Sequence, residues 1–569
     1  MSTRDPSAQT SDLQALSHAV ASLLTLGQVI HILPTNAKAR SALSVFALAS
    51  LVPFLFNVFS ISAAESSTLQ SHKHPVQALF HHAQAEFEGL LQRQSETYAA
   101  AHDEYLRRYG VNPPPGFEAW YEFARRHQSP IIDDFDLIHD NIAPFRALSG
   151  REVLDIMSHV HEHPYSELWF CSFSGQQAKT RCRHHYRTYD RHIQFLFDRL
   201  FQDLPGVLPD FKFLVNHLDE PRVLVPPRHP QDPHKAQFNI TNLSKQPVWD
   251  TLSKFCSDTM NEVQATNSVE TFGLPFITNL STAMDLCQHP EYSAMHGFIQ
   301  SPNSLRLIEG LVPALSTGSP SLMGDILYPS AAYIESEFQY ESANDFEWDE
   351  KRNNLYWAGS TTGGFASDDG WRNYHRQRFV GLAKNLEEGS HYYLRENDGI
   401  VSLVKSSFLN GRLYDVFFTR VFQCEARYCR DQRRYFEAKP WADPNEAFRS
   451  RLVFDTDGNG ISGRFYKILA SMSVPLKQTI LREWHDERLV PWVHYIPVSQ
   501  GMEELPELVF YLTSTKDGQR IARGIADRGR EWFPVAFRDV DFAIYTYRLM
   551  LELARLQDPK RPAGQADAE

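Results

Sequence analysis

A short apolar run, Leu452-Val453-Phe454, leads into Asp455-Thr-Asp-Gly-Asn-Gly-Ile-Ser-Gly-Arg-Phe-Tyr-Lys467, and a helical-looking stretch follows from Phe465 to Met472. A strand, a glycine-rich turn and then a helix is how α/β proteins hold a phosphate. Glycines let the backbone approach, free amides in the first helical turn point at the anion, and the helix dipole favours negative charge. Arg464 and Lys467 add side-chain charge, and arginine can bind two phosphate oxygens at once. Other readings compete for the same residues. Asp455, Asp457, Asn459 and Gly460 match the start of a calcium loop, but position twelve, where a bidentate Glu belongs, is Tyr466. Asp455 and Asp457 could also hold a divalent metal as a carboxylate pair. The plainer alternative is a turn in which Asp and Asn side chains cap backbone amides.

A second glycine-rich segment, Leu355-Tyr-Trp-Ala-Gly-Ser-Thr-Thr-Gly-Gly364, repeats the pattern of an apolar strand end running into Gly, Ser and Thr. Two such turns roughly 100 residues apart fit one nucleotide site at the strand ends of an open sheet. A third segment, Phe211-Lys-Phe-Leu-Val-Asn-His-Leu-Asp-Glu-Pro-Arg222, reads as a buried strand ending in Asp219-Glu220 and stopped by Pro221. A carboxylate at the carboxyl end of a strand is well placed for a general base, because clefts form there. Against this, Asp219 could pair with Arg222 and only shape the turn. No Gly-x-Gly-x-x-Gly opens a helix after a strand, which counts against a dehydrogenase.

Taken together, these segments resemble glycosyltransferase family 90, the capsule-associated glycosyltransferases, in their fungal branch. The family includes capsule xylosyltransferases and protein O-glucosyltransferases. The resemblance runs from about His74 to Asp558. It is carried by Gly116-Phe-Glu-Ala-Trp-Tyr-Glu-Phe-Ala124, Ile131-Ile-Asp-Asp-Phe-Asp136, Asp219-Glu-Pro-Arg222, Asp325-Ile-Leu-Tyr-Pro329 and Tyr356-Trp-Ala-Gly-Ser-Thr-Thr-Gly-Gly364. Asp457-Gly-Asn-Gly-Ile-Ser-Gly-Arg-Phe465 and Pro491-Trp-Val-His-Tyr-Ile-Pro497 complete it.

The resemblance implies an α/β fold of the GT-B type, two Rossmann-like domains facing a cleft, and an inverting glycosyltransferase. The donor would be a UDP-sugar, with xylose or glucose passed to a glycan or glycoprotein hydroxyl. It implies Asp219 as the base. Gly359, Ser360, Thr361 and Thr362, with Ser462, Gly463, Arg464, Phe465 and Lys467, would hold the donor. Glu220, Arg222 and Asp457 would support the acceptor side or the site. Inversion needs one base and a stabilised leaving diphosphate, which Arg, Lys and helix amides can supply without a metal. No metal site is therefore expected and no cofactor is required, although manganese stays open through Asp455 and Asp457. One position departs from the family pattern: before Gly359 the family usually has Trp-Arg-Gly-Ser, and here residue 358 is Ala. Arg464, Lys467 or Arg372 could compensate. The alternative is a non-catalytic member that binds a glycan or glycoprotein.

The 569 residues are enough for two domains with extensions, and 42% hydrophobic with 12% aromatic content supports real cores. A net charge of −13 argues against nucleic acid as a partner. The stretch 42–64 is free of charge and long enough to cross a bilayer, with Lys38 and Arg40 before it and Glu65 after it. The positive-inside rule then makes it a type II signal anchor in the Golgi or endoplasmic reticulum, with residues 1–41 as a cytosolic tail and the catalytic part luminal. Ser62-Ala-Ala also resembles a cleavage site.

Residues 65–110 read as a helical stem and 111–335 as the N-terminal acceptor domain. The donor domain follows at 336–525, C-terminal helices at 526–557 and a disordered tail at 558–569. The helix from Val540 to Leu556 is expected to pack back on the first domain. Three glycosylation sequons begin at Asn239, Asn242 and Asn279, and six cysteines are compatible with disulfides in an oxidising compartment. Spacing leaves their connectivity open; Cys171–Cys182 and Cys424–Cys429 are the local pairs to test first. His159, His161 and His163 alternate as in a strand, with His184 and His185 following, and read as a polar surface run rather than a metal site. His494 reads as a satisfied strand histidine rather than a second base.

Overall fold

The computed structural model describes residues 74–564 apart from 205, 227–237, 257–268, 388 and 398–399, together with Gln28 and His31. The expected anchor at 42–64, and the tail before it apart from Gln28 and His31, lie outside the described residues. Among the described residues no helix is long and apolar enough to cross a membrane. One compact unit takes in Pro75–Tyr393 and Leu403–Glu569, and Leu394–Ser402 groups separately. The expected boundary between residues 335 and 336 does not divide that unit.

Of the stretch read as a stem, the described part from residue 74 onward holds α1 (Pro75–Gln92) and α2 (Tyr98–Tyr109), and 65–73 lie outside the described residues. The described part is not a free stalk. Val76, Leu79, Phe80, Ala83 and Leu90 recur on one buried face of α1, at the three- and four-residue spacing that lines up along a helix. That face packs on the later helix Lys516–Ala536. Helix α2 stops where Gly110 turns into the left-handed region at φ 69°. Helices α3 (Phe117–Arg126), α4 (Asp136–Ile142) and α5 (Gly150–Glu162) follow. Ser149 and Glu152 form a reciprocal capping box at the start of α5. His159 and His161 therefore lie on a helix, not on a strand. The capping box and the apolar Val153, Ile156, Met157 and Val160 at helical spacing override the alternation of the histidines.

The first sheet is mixed. Its strands are β1 (Leu168–Ser174), β2 (Lys179–Arg183), β3 (Phe211–Asn216), β7 (Ala314–Ser316) and β8 (Ile326–Leu327), in the order β2-β1-β3-β7-β8. β1 runs antiparallel to both β2 and β3, while β3, β7 and β8 run parallel. A fully parallel Rossmann-like sheet is thus not what the N-terminal half forms. Helix α6 (Ile193–Phe201) lies between β2 and β3 in the chain. A smaller sheet, β4-β6-β5, joins Val223–Leu224, Arg306–Glu309 and Asn239–Asn242.

The second sheet is fully parallel. Its strands are β9 (Arg352–Ser360), β12 (Tyr414–Arg420), β13 (Ser450–Thr456), β14 (Val474–Gln478) and β15 (Ile496–Pro497), in the order β12-β9-β13-β14-β15. Helix α7 (His375–Ala383) follows β9. The ribbon β10 (His391–Asn397) and β11 (Ile400–Ser406) precedes β12, and α8 (Ala426–Phe436) follows it. Leu452, Val453 and Phe454 are buried in succession, as expected of a strand covered on both faces. Beyond β13 come α9 (Phe465–Leu469), α10 (Leu505–Ser514), α11 (Lys516–Ala536) and α12 (Asp539–Leu556).

Helix α12 is buried along nearly its whole length and packs on α3, α4, α5, α6 and β3, so the end of the chain completes the core of the first sheet. The Trp120 indole donates to the carbonyl of Ile544 at 2.9 Å in that contact. The tail does not begin at Asp558. Arg561 is buried and donates to the carbonyls of Leu148 (2.6 Å) and Leu556 (3.1 Å), and Gly150 N–H donates to the Arg561 carbonyl. Its guanidinium satisfies the carbonyls of two buried residues, and Gly564 N–H donates to the Arg146 carbonyl, which ties 558–564 to the body. Three disulfides join Cys171 to Cys182, Cys256 to Cys287 and Cys424 to Cys429. Asn239, Asn242 and Asn279 are all exposed.

Candidate functional site

The parallel sheet has one place where the chain reverses its direction of winding. From β9 the chain goes to β12 on one side; from β13 it goes to β14 on the other. The loops leaving the carboxyl ends of β9 and β13 therefore separate, and open sheets bind ligands in the crevice so formed. Both glycine-rich segments singled out in the sequence are these two loops, Gly359–Gly364 and Asp455–Arg464.

The two loops are fastened to each other. Gly363 N–H donates to Asn459 Oδ1 at 3.1 Å. Gly363 has φ 100°, and a Cβ there would stand 2.6 Å from the His375 ring and 3.0 Å from the Gly458 carbonyl. Only glycine meets both demands. Arg376, in the first turn of α7, spans the pair. Its Nε donates to the Asp457 carbonyl at 2.7 Å, and one terminal nitrogen to the Ser360 carbonyl (3.0 Å) and Thr362 Oγ1 (2.7 Å). Its other terminal nitrogen donates to the Thr456 carbonyl at 3.3 Å. Burial pushes the Arg376 guanidinium down to about 9, with the nearby Arg464 acting in the same direction.

A cavity of about 380 Å³ opens beside β9 and β12. Ala358, Gly359 and Ser360 form one wall, and Arg420, Arg464 and Lys467 bring three cations to it. Arg464 donates to the Ala358 carbonyl at 2.6 Å. Arg420 leans on the Phe422 ring at 5.4 Å and Lys467 on Phe448 at 5.7 Å. Ala358 packs with Tyr356 and Phe417, against Ala442 and Ala447. Arg372 is elsewhere, over the rings of Trp371 and Tyr435. A Cβ on Gly359 would meet the Trp357 ring at 2.6 Å.

Asp219 lies three residues past the end of β3 and is exposed, its side chain keeping 46% of its free area. The Arg191 guanidinium, not Arg222, donates to its Oδ1. The Asp219 backbone touches the glycine-rich loop: a Cβ on Gly460 would stand 2.3 Å from the Asp219 carbonyl oxygen. So the backbone of the Asp219 segment, which follows the first sheet, and the glycine-rich loop of the second meet at Gly460.

Several expected site residues serve the scaffold instead. Glu220 is buried and accepts from Ser304 N–H (2.9 Å) and its hydroxyl (2.7 Å); burial raises its pKa. Arg222 is buried, its side chain spent on the carbonyls of Ser166 and Arg306, and its N–H donates to Asp325. Burial raises the Asp325 carboxyl to about 6. Thr361 exchanges hydrogen bonds with the Phe422 backbone. The Ser462 hydroxyl donates to Asp455, and Gly463 sits under the Phe338 ring. Phe465 is fully buried, stacked on His485 with Lys477 Nζ 3.9 Å from its ring centroid, so it packs the core rather than lining the cavity. Asp457 is buried, accepts from Ile480 N–H at 2.9 Å and faces His296 at 3.4 Å. Among the described residues no group of three His, Cys, Asp or Glu side chains could hold a metal ion.

Three further corrections bear on the site. Helix α9 is only five residues long, where Phe465 to Met472 was expected; the Ser471 hydroxyl bonds back to the Ile468 carbonyl, and the chain turns into β14. A single turn carries little dipole, so the positive charge at the cavity comes from side chains. His494 lies in a turn between Pro491 and Tyr495, and only its Nδ1 is satisfied, by Val490 N–H at 3.0 Å. Arg376, Arg420 and Arg191 were not singled out from the sequence. Arg420 alone left a readable signal, a cation at the carboxyl end of an apolar strand. The other two act on partners 14 or more residues away.

Residues 391–568 match the family model described as Glycosyl transferase family 90. That match contains Arg420 and the loop 455–467, but not Asp219 or Gly359–Thr362. The chain is also similar to an O-glucosyltransferase rumi homolog of Aedes aegypti, 29% identical over 129 residues, which is 19% of this chain and 31% of that relative. The match thus spans about a third of the relative's length.

Proposed function

From the glycosyltransferase family 90 domain that residues 391–568 carry, and from the site above, we propose that the protein is an inverting glycosyltransferase. It uses a UDP-sugar, xylose or glucose, and transfers it to a glycan or protein hydroxyl in the secretory pathway. The two sheets act as the two lobes of a GT-B enzyme, and the stretch 42–64 anchors it as a single-pass type II protein. Asp219 takes the proton of the acceptor hydroxyl as that oxygen attacks the anomeric carbon. The bond to the diphosphate breaks on the opposite side, and Arg464, Lys467 and Arg420 stabilise the charge that develops there. Ser360, tied with Thr362 to Arg376, shapes the diphosphate end of the cavity.

One observation carries this reading. The backbone of a carboxylate-bearing loop on one sheet rests against the anion-binding loop of the other, at Gly460. An in-line displacement needs base and leaving-group cations near one another but on different walls. The test is turnover of UDP-xylose, UDP-glucose and UDP-galactose by the full chain, with and without manganese. Metal-free use of one donor supports the mechanism and names the sugar. Use only with manganese would assign Asp455 and Asp457 a metal. A second reading, a non-catalytic glycan-binding member, is favoured by Ala358, whose methyl group stands at the cavity where the family usually has arginine. Silence of the folded protein with every donor would favour that reading.

A further inference from the structure

We propose that the segment from Tyr189 to Phe195 is the acceptor subsite, that it takes a neutral pyranose ring, and that Arg191 positions Asp219 toward that ring. This rests on reading Asp219 as the base.

The backbone supplies the first observation. Arg191 and His192 are consecutive non-glycine residues in the left-handed region, at φ 53° and 63°. That conformation is costly for residues with a Cβ, and it persists only where surrounding contacts impose it. The contacts are visible. Arg191 donates to Asp219 Oδ1, and His192 Nδ1 lies 3.3 Å from Glu335 Oε1. The strained pair thus turns Arg191 toward the Asp219 carboxylate and His192 toward that of Glu335.

The second observation is the surface beside it. Tyr189 and Phe195 remain 58% and 57% exposed, large rings left uncovered next to a candidate base. They flank His192: the Tyr189 hydroxyl lies 3.3 Å from His192 Nε2, and the Phe195 ring centroid 6.4 Å from the imidazole. An aromatic face edged by hydroxyl, imidazole, guanidinium and carboxylate groups matches a pyranose, which has an apolar C–H face and a rim of hydroxyls. The rings are few and interleaved with charges. They suit one sugar unit better than the contiguous apolar patch that a protein acceptor would cover.

The third observation is the division of the carboxylate. Arg191 engages Oδ1, which leaves Oδ2 for the acceptor. The acceptor proton moves to Oδ2 as the new carbon–oxygen bond forms. The electron pair of the broken bond leaves on the diphosphate.

The test uses the full chain and the variants Tyr189→Ala, Phe195→Ala, Arg191→Ala and Arg191→Lys. The probes are UDP, methyl glycosides with the matching disaccharides, and a serine-containing peptide. The two ring variants should raise the saccharide KM tenfold or more while leaving the UDP Kd within twofold. Arg191→Ala should lower kcat for transfer tenfold or more while leaving the UDP Kd within twofold, and Arg191→Lys should restore part of that loss. Unchanged saccharide KM in both ring variants would overturn the subsite, as would their selective loss of transfer to the peptide. An unchanged kcat in Arg191→Ala would overturn the role of Arg191. If the parent chain turns over no donor, direct saccharide binding by NMR still decides. Binding abolished by Tyr189→Ala keeps the subsite while the transfer reading falls; no binding overturns the subsite.

Discussion

Replacing Arg376 by alanine should loosen the donor site from behind, by freeing Ser360 and Thr362 from the residue that holds them. The guanidinium makes four hydrogen bonds, three to main-chain carbonyls in the β9 and β13 loops and one to Thr362. Hydrogen bonds to a charged group are worth about 1.5–3 kcal/mol each, but bonds from one group do not add. The Asp457 carbonyl keeps its second donor, His375 Nε2 at 2.9 Å. Two carbonyls, those of Ser360 and Thr456, lose this donor with no substitute in the substitution itself. A cost of about 3–5 kcal/mol follows, in the range for breaking a buried charged contact. If roughly 2 kcal/mol of it is felt as misplacement of the two loops, the UDP Kd rises about 30-fold. Calorimetric titration with UDP, beside urea denaturation of the same variant, measures both parts. A stable variant whose UDP Kd stays within threefold of the parent would refute the reasoning, because the loops would then be held without Arg376.

Further outcomes follow from the same geometry. Asp219→Asn should abolish transfer by 10²-fold or more, the usual range for a general base, while UDP affinity is nearly unchanged; single-turnover kinetics and UDP titration separate the two. Arg464→Ala should weaken UDP binding about tenfold to a hundredfold, as loss of one charged hydrogen-bond donor does. Asp455 is buried, and burial pushes its carboxyl up to about 6, against the opposing pull of Lys477 and the Ser462 hydroxyl. Its folded pKa lies above its unfolded one, so folding takes up a proton between about pH 4 and 6. Asp455 therefore contributes a loss of stability, on the order of 2–3 kcal/mol, as pH rises through that window. Denaturation midpoints of Asp455→Asn should be flatter than the parent's from pH 4 to 6, and a parallel slope would refute this. Opening the Cys256–Cys287 bridge, which closes a span of 31 residues, should cost about 3–4 kcal/mol, against about 2 for the five-residue span of Cys424–Cys429; serine variants in urea measure both.

What could be read from the sequence was what neighbouring residues decide. Leu452 to Asp455 read as a strand end because three apolar residues precede a glycine-rich turn, and the structure places β13 there. Asp219-Glu220 read as the end of a strand stopped by Pro221, whereas β3 stops earlier, at Asn216, where the Asn216 amide turns back to the Glu220 carbonyl at 2.7 Å. The misreadings came from signals with two sources. The apolar residues after Arg464, interrupted by Lys467 and Ser471, mark burial as well as helix, and Tyr466 among them packs against Tyr333, His485 and Phe537. Alternating histidines match a strand only until the Ser149–Glu152 capping box is weighed. Arg376 was out of reach, because the bonds that make it matter close across 14 to 16 residues or across 80 or more.

The short length of α9 changes where the leaving charge goes. A long helix would have offered a dipole and several free amides to a diphosphate; one turn offers little. The Arg464 guanidinium is already engaged by the Ala358 carbonyl, and Ala358 itself contributes only a methyl group. Of the cations lining the cavity, Arg420 is the one at a strand end in register with Ser360, directly across the β9–β12 pair. A guanidinium there reaches the same wall of the cavity that an arginine at position 358 would, but from the neighbouring strand and without displacing Ala442 or Ala447. On the proposed mechanism, the missing arginine then does not leave the diphosphate bare. The charge-stabilising role passes from β9 to β12, and Arg420→Ala should weaken UDP binding in this chain more than restoring arginine at position 358 strengthens it.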